Sequence, residues 1–292
     1  MRRKVNHQLD TRIAEPLPHR AREDSEAEPS RYRRALLFGT GFIMHLLTLT
    51  TNAGTPFAML PLQANAPAPT LLLLAWSGVE TLTSEPYCLT GRLLHAHGWN
   101  VVSLDLPCHG TARYADEPEG LTGWAARIAV GDNIVADFHA RVHDVLEHLI
   151  ATGHAKPRHI AAAGTSRGGF MALHAAVGNP HIRAVAAFAP VTDLLALHEF
   201  AGQEENPLLP ELNLMQAVET LAARATWLII GNADERVDTA RVVAFAHSLS
   251  ITSQQRNPAG EVTLCVLPVP GHCSLAEWHN EAAEWLLTKL GQ

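Results

Sequence analysis

The chain has 292 residues, 47% of them hydrophobic, so one α/β unit of this size can enclose a large core. Its formal net charge is -7 with no basic stripe on the folded part, which argues against a nucleic-acid partner. Four scattered cysteines make no disulfide framework, and no run reaches the roughly 18 apolar residues that cross a bilayer, so no integral membrane segment is expected.

Residues 1–34 are polar and mixed in charge, and a disordered or loosely packed tail is expected there, followed by one domain over 35–292. Arg2, Arg3 and Lys4 are basic, but no apolar segment follows them and acidic residues interrupt the tail. Neither a secretory leader nor a mitochondrial presequence fits, and the cytoplasm is the default location. Ile43–Thr50 and Pro56–Leu62 flank the turn signal Asn52-Ala53-Gly54 and predict an antiparallel hairpin at a sheet edge. Thr70–Ala75 is a short continuous apolar run, the pattern of a strand buried on both faces. A helix is expected over 86–97, a strand over Asn100–Leu106, and a long amphipathic helix over Asp132–Thr152 with Val135, Phe138, Val142, Val145 and Leu149 on one stripe. His159–Gly164, Val185–Ala189, Trp227–Gly231 and Glu261–Leu267 read as strands, with helices over Ser166–Val177 and 275–290.

Strands that alternate with helices predict a mostly parallel sheet of about eight strands, with helices on both faces. Ligands in such sheets bind beyond the carboxyl ends of the strands. Residues 190–224 break the alternation, with three prolines and a helical stretch around 211–223, and leave room for a small lid. Leu194, Leu195, Leu197, Phe200 and Leu208 there suit either an apolar pocket or ordinary packing.

Gly164-Thr165-Ser166-Arg167-Gly168 matches G-x-S-x-G and sits between a predicted strand and a predicted helix. A sharp turn of this kind lifts the serine hydroxyl above the sheet at a helix N-terminus, where an oxyanion is favoured. A serine hydroxyl needs a base, and the base needs an orienting carboxylate. His272 follows the last strand, and Asp234 lies in the loop after Trp227–Gly231, in the chain order Ser, Asp, His. Glu235 and Asp238 share the loop of Asp234, and Asp193 follows the preceding strand, so the acid is open among them. The oxyanion needs two backbone donors, expected from Arg167 and from Ser77, with Gly78 as the alternative. His139 and His143 have the i, i+4 spacing of metal ligands but no third ligand, and no phosphate-cradling glycine loop is present, so neither a metal nor an organic cofactor is expected.

From about residue 43 to the end the chain resembles the α/β-hydrolase superfamily, most of all its dienelactone-hydrolase-like and prolyl-oligopeptidase-like branch. The resemblance rests on GTSRGG at 164–169, DLPCHG at 105–110, GNADERVD at 231–238 and PGHC at 270–273. It implies a serine hydrolase, a carboxylesterase acting on a small-molecule ester through an acyl-enzyme, with Ser166, Asp234 and His272 catalytic. Peptidase, amidase or acyltransferase chemistry and a non-catalytic binding role are the rival readings, and a homo-oligomer is open. Two departures stand out. Ala75-Trp76 replaces the usual His-Gly after the third predicted strand, and the nucleophile position holds Ser166 where dienelactone hydrolases proper carry cysteine.

Overall fold

The computed structural model describes residues 32–38, 42–62, 66–256 and 261–291. In chain order its elements are β1 (Tyr32–Phe38), β2 (Phe42–Thr50), β3 (Pro56–Leu60), β4 (Ala68–Leu74), α1 (Gly78–Thr83), α2 (Leu89–Ala96), β5 (Asn100–Ser103), α3 (Gly120–Ala129), α4 (Ile134–Ala151), β6 (Ala155–Thr165), α5 (Arg167–Gly178), β7 (Ile182–Phe188), α6 (Leu208–Leu212), α7 (Val218–Leu221), β8 (Ala225–Ala233), α8 (Thr239–Arg256), β9 (Val262–Pro270) and α9 (Ala276–Leu290). The described strands form one nine-stranded sheet in the order β1-β2-β3-β5-β4-β6-β7-β8-β9. Pairing is antiparallel from β1 through β3 to β5, and parallel from β5 to β9.

The expected mostly parallel α/β sheet is therefore present, with one strand more than anticipated. The hairpin of β2 and β3 is not the edge, because β1 pairs outside it, Tyr32 opposite Thr48 through Phe38 opposite Phe42. Residues 32–34, expected in the tail, open that strand; the rest of the expected tail lies outside the described residues.

Two patterns explain the layers. Leu71, Leu72, Leu73 and Leu74 of β4 are all buried, each stabilising the fold by roughly 1.5–3 kcal/mol, because helices cover both faces of this central strand. In β6 the buried run Ala161, Ala162, Ala163 uses small side chains, which lets α5 pack close over β6 and β7. The predicted stripe of α4 faces inward: Val135, Phe138, Val142, Val145 and Leu149 are buried. The helices α4, α5, α7 and α8 pack in a chain of neighbours, while α2 packs against α9. At β9 the burial alternates between half-buried and exposed residues, as a period-2 strand at a sheet edge requires.

The strand order reverses direction at β4, which lies between β5 and β6. A crevice opens outside the carboxyl ends of the strands at such a switch point. The segments following β4, β6, β8 and β9 all emerge at this one edge, since these strands run parallel.

Residues 190–224 form short helical turns, α6 and α7 among them. Leu194, Leu197, Phe200, Leu209, Leu212 and Leu214 are buried in the core, so these apolar residues of the segment serve packing. It is tied down by polar contacts as well: Gln203 and Asn206 donate to the carbonyls of Ala125 and Ile128 on α3, and Asp193 pairs with Arg241. Among the described residues no helix is long and apolar enough to cross a membrane.

Candidate active site

Ser166 caps the N-terminus of α5 directly after β6, with φ 55° and ψ -116°. This left-handed backbone is strained for a serine, and the surroundings hold it there. Its N–H donates to Phe188 O at 2.8 Å, and its carbonyl accepts from Phe170 N and Val191 N. The turn closes only with glycines beside it: a Cβ on Gly164 would lie 2.2 Å from Gly168 O, and one on Gly168 would lie 2.1 Å from Leu74 O.

Three side chains meet above this turn. The Ser166 hydroxyl lies 2.9 Å from His272 Nε2, and His272 Nδ1 lies 2.7 Å from Asp234 Oδ2. An ionised carboxylate only accepts, so Nδ1 carries the proton and Nε2 is free to accept from the serine. The Asp234 side chain is fully buried while that of His272 is 28% exposed. Its other oxygen, Oδ1, accepts from Arg236 N at 3.0 Å and Val237 N at 3.3 Å. Burial alone raises the Asp234 pKa, but the bonds from His272, Val237 and Arg236 outweigh it and hold the carboxyl below its ordinary value.

The other candidate acids are engaged elsewhere. Asp193 accepts from Leu195 N and pairs with Arg241. Asp238 accepts from Ala240 N at the start of α8 and from Arg241 Nε, and Glu235 is exposed. Asp234 alone of the four contacts His272.

The loop that carries His272 has its own anchor. The Ser274 hydroxyl meets His279 Nε2 at 2.8 Å, and His279 Nδ1 meets Thr90 Oγ1 at 3.0 Å. His279 is wholly buried and stacks on Phe188, and burial pushes its pKa down to about 4. A neutral imidazole therefore links the loop to α2 and to the sheet.

The two expected backbone donors differ in their surroundings. Arg167 is the first residue of α5, so its N–H has no intrahelical partner. Ser77 caps α1, and among the described residues its N–H has no hydrogen-bond partner. Gly78 N donates to Asp105 Oδ1 at 2.7 Å and is thereby occupied. Trp76 N likewise donates to Thr81 Oγ1 at 3.0 Å. Asp105 also accepts from Thr111 through Oδ2, so the DLPCHG loop props the segment that follows β4.

A cavity of about 270 Å³ opens at Ser166 and His272, with Trp76, Tyr87, Leu121 and Arg236 among its walls. Ser77 and Asp234 are not among the lining residues, and neither is any residue of 190–224. Sequence reasoning missed Tyr87 and Arg236 as wall residues. Arg236 is held by Glu199, which it contacts through both terminal nitrogens at 2.5 and 2.9 Å, a pairing across 37 residues that no local pattern signals. His139 packs against His174 and His143 is exposed; no group of three or more potential metal ligands occurs among the described residues. Cys273 lines the cavity, with its thiol pKa raised by burial and by Asp234.

The family model for the prolyl oligopeptidase family matches residues 124–292, which is more than half of the chain and includes Ser166, Asp234 and His272. The chain belongs to the prolyl oligopeptidase family. Solved structures of the same fold include both esterases and peptidases. Acetyl xylan esterase 1 from Thermoanaerobacterium sp. JW/SL YS485 is 14% identical, with a TM-score of 0.58 over 90% of this chain and 88% of that one. A cold-adapted esterase from an Arctic intertidal metagenomic library is 16% identical, with a TM-score of 0.61 over 85% of this chain and 94% of that one. Dipeptidyl peptidase 4 of Porphyromonas gingivalis is 14% identical, with a TM-score of 0.57 over 89% of this chain but only 35% of that one. No curated protein matches the chain in sequence.

Proposed function

We propose that this member of the prolyl oligopeptidase family is a serine esterase that cleaves small carboxylic esters through an acyl-enzyme. The observation that carries the proposal is the continuous hydrogen-bonded line Ser166–His272–Asp234, at 2.9 and 2.7 Å. In this mechanism His272 Nε2 takes the Ser166 proton as Oγ attacks the ester carbonyl. Asp234 keeps the imidazole in the tautomer that can accept and stabilises the imidazolium that forms. The N–H groups of Arg167 and Ser77 take the oxyanion, each without a hydrogen-bond partner among the described residues. His272 then gives its proton to the leaving alkoxide, and water enters by the same base catalysis to release the acid. No step calls for a metal or an organic cofactor.

Esters are favoured over peptides by the cavity, whose volume of about 270 Å³ suits a small molecule. The family match keeps a small peptidase or amidase as the second reading. Turnover of short nitrophenyl esters beside the matching anilides separates the two. Ester turnover at least 100-fold above anilide turnover supports the esterase, and the reverse order removes it.

A further inference from the structure

The cavity at Ser166 has an unusual charge balance. Its lining includes two arginines, Arg167 and Arg236, and no aspartate or glutamate. Arg236 is neutralised by its two-pronged contact with Glu199. Arg167 is not. Among the described residues no carboxylate lies within 4.0 Å of it, and its side chain makes a single long hydrogen bond, from Nε to Ala75 O at 3.4 Å.

A guanidinium offers five N–H donors in a fixed fork, so most of those of Arg167 are unspent. The side chain is half-buried. An unpaired cation withdrawn from water is costly, and the usual remedy is a bound anion. Burial, and to a smaller extent the charge of Arg236, weakens its hold on its proton, although Tyr87, Glu119 and Glu199 nearby act in the opposite sense. The fold also makes room for this group. Gly120 has φ +67°, and a Cβ there would come within 2.9 Å of one terminal nitrogen of Arg167.

We propose that the substrate is a small ester bearing a free carboxylate, and that the Arg167 side chain binds that carboxylate while Ser166 attacks the ester carbonyl. The proposal rests on the serine-esterase reading above and adds the substrate class to it. A planar carboxylate matches the guanidinium fork through two parallel hydrogen bonds. Arg167 adjoins Ser166 in sequence and both face the cavity, whose volume of about 270 Å³ bounds the substrate to a few carbons between its two ends. The tilted pair Trp76 and Tyr87, with ring centroids 4.8 Å apart, supplies the aromatic side of the same cavity. Arg167 is thus the specificity residue, acting through its side chain on substrate charge.

The test compares monomethyl glutarate with dimethyl glutarate, which share the acyl chain and differ in charge, by methanol release. The expected kcat/KM ratio favours the half-ester at least tenfold in the wild-type protein. In Arg167→Gln that ratio falls at least tenfold, chiefly through KM, and Arg167→Lys restores part of it. A wild-type ratio near one overturns the inference however the variants fold. Labelling of the wild type by a fluorophosphonate tells the two failures apart: a labelled protein without charge preference loses only the carboxylate inference, whereas an unlabelled one loses the esterase reading as well.

Discussion

Replacing Ser77 by proline tests the oxyanion donor proposed for its N–H. Ser77 has φ -71°, inside the range that proline imposes, and among the described residues its N–H has no hydrogen-bond partner, so the ring removes a donor that none of them uses. The hydroxyl does have a structural role: Oγ accepts from Glu80 N at 3.3 Å and donates to Glu80 Oε2 at 2.6 Å, capping α1. Loss of that cap costs about 1 kcal/mol, and Ser77→Ala carries the same loss while keeping the N–H. The difference between the two variants therefore reports the donor alone. One oxyanion donor is worth roughly 10²–10³ in kcat, or about 2.7–4 kcal/mol of transition-state stabilisation. The assay is steady-state hydrolysis of a nitrophenyl ester by both variants, with thermal melts to show equal folding. A Ser77→Pro kcat within fivefold of that of Ser77→Ala would refute the assignment of this donor.

Asp234→Asn is expected to keep the fold, because the amide oxygen still accepts from Arg236 N and Val237 N, yet its NH2 then faces His272 Nδ1 and forces the wrong tautomer; kcat drops about 10⁴-fold, measured on the same ester. Gly168→Ala drives a Cβ to 2.1 Å from the Leu74 carbonyl, a backbone atom that cannot rotate away, and lowers stability by about 1–3 kcal/mol in denaturant unfolding. The pH dependence of stability follows from the buried neutral histidines. His279 and His174 have pKa values pushed down to about 4 and about 3 by burial, so as pH falls below 6.5 the unfolded chain takes up protons first and the folded state loses stability. For His279 the loss approaches about 3 kcal/mol near pH 4, and melts of His279→Gln should show a shallower acid slope than the wild type.

The central strands and the turn at Ser166 were legible in the sequence because each carries a local signature. Four consecutive leucines in β4 and the apolar run of β8 announce strands buried on both faces, and glycines at 164 and 168 flank a serine between a strand and a helix. Three helices were harder to see. α1 has only six residues, and α3 begins at Gly120 behind a loop of turns. α8 buries Val242, Phe245, Ala246, Leu249 and Ser253, a stripe diluted by polar and small residues. β1 was hidden for a different reason: it is an edge strand whose arginines at 33 and 34 read as part of a polar tail. At the site, chain order put Asp234 and His272 after Ser166, but the other engagements of Asp193, Asp238 and Gly78 could not be read there, because their partners, Arg241 and Asp105, lie 48, 3 and 27 residues away. The charge of the cavity is the least local property of all. Arg167 and Arg236 look alike in sequence, and only the long-range contact with Glu199 sets the ion-paired arginine apart from the one with no carboxylate within 4.0 Å among the described residues.

The most direct test of the account is covalent labelling of the purified protein with a fluorophosphonate, read by peptide mass spectrometry. The account predicts one adduct per chain, on Ser166, lost in Ser166→Ala and strongly slowed in His272→Ala. An adduct of undiminished yield on the Ser166→Ala protein, or none on well-folded wild type, would contradict it.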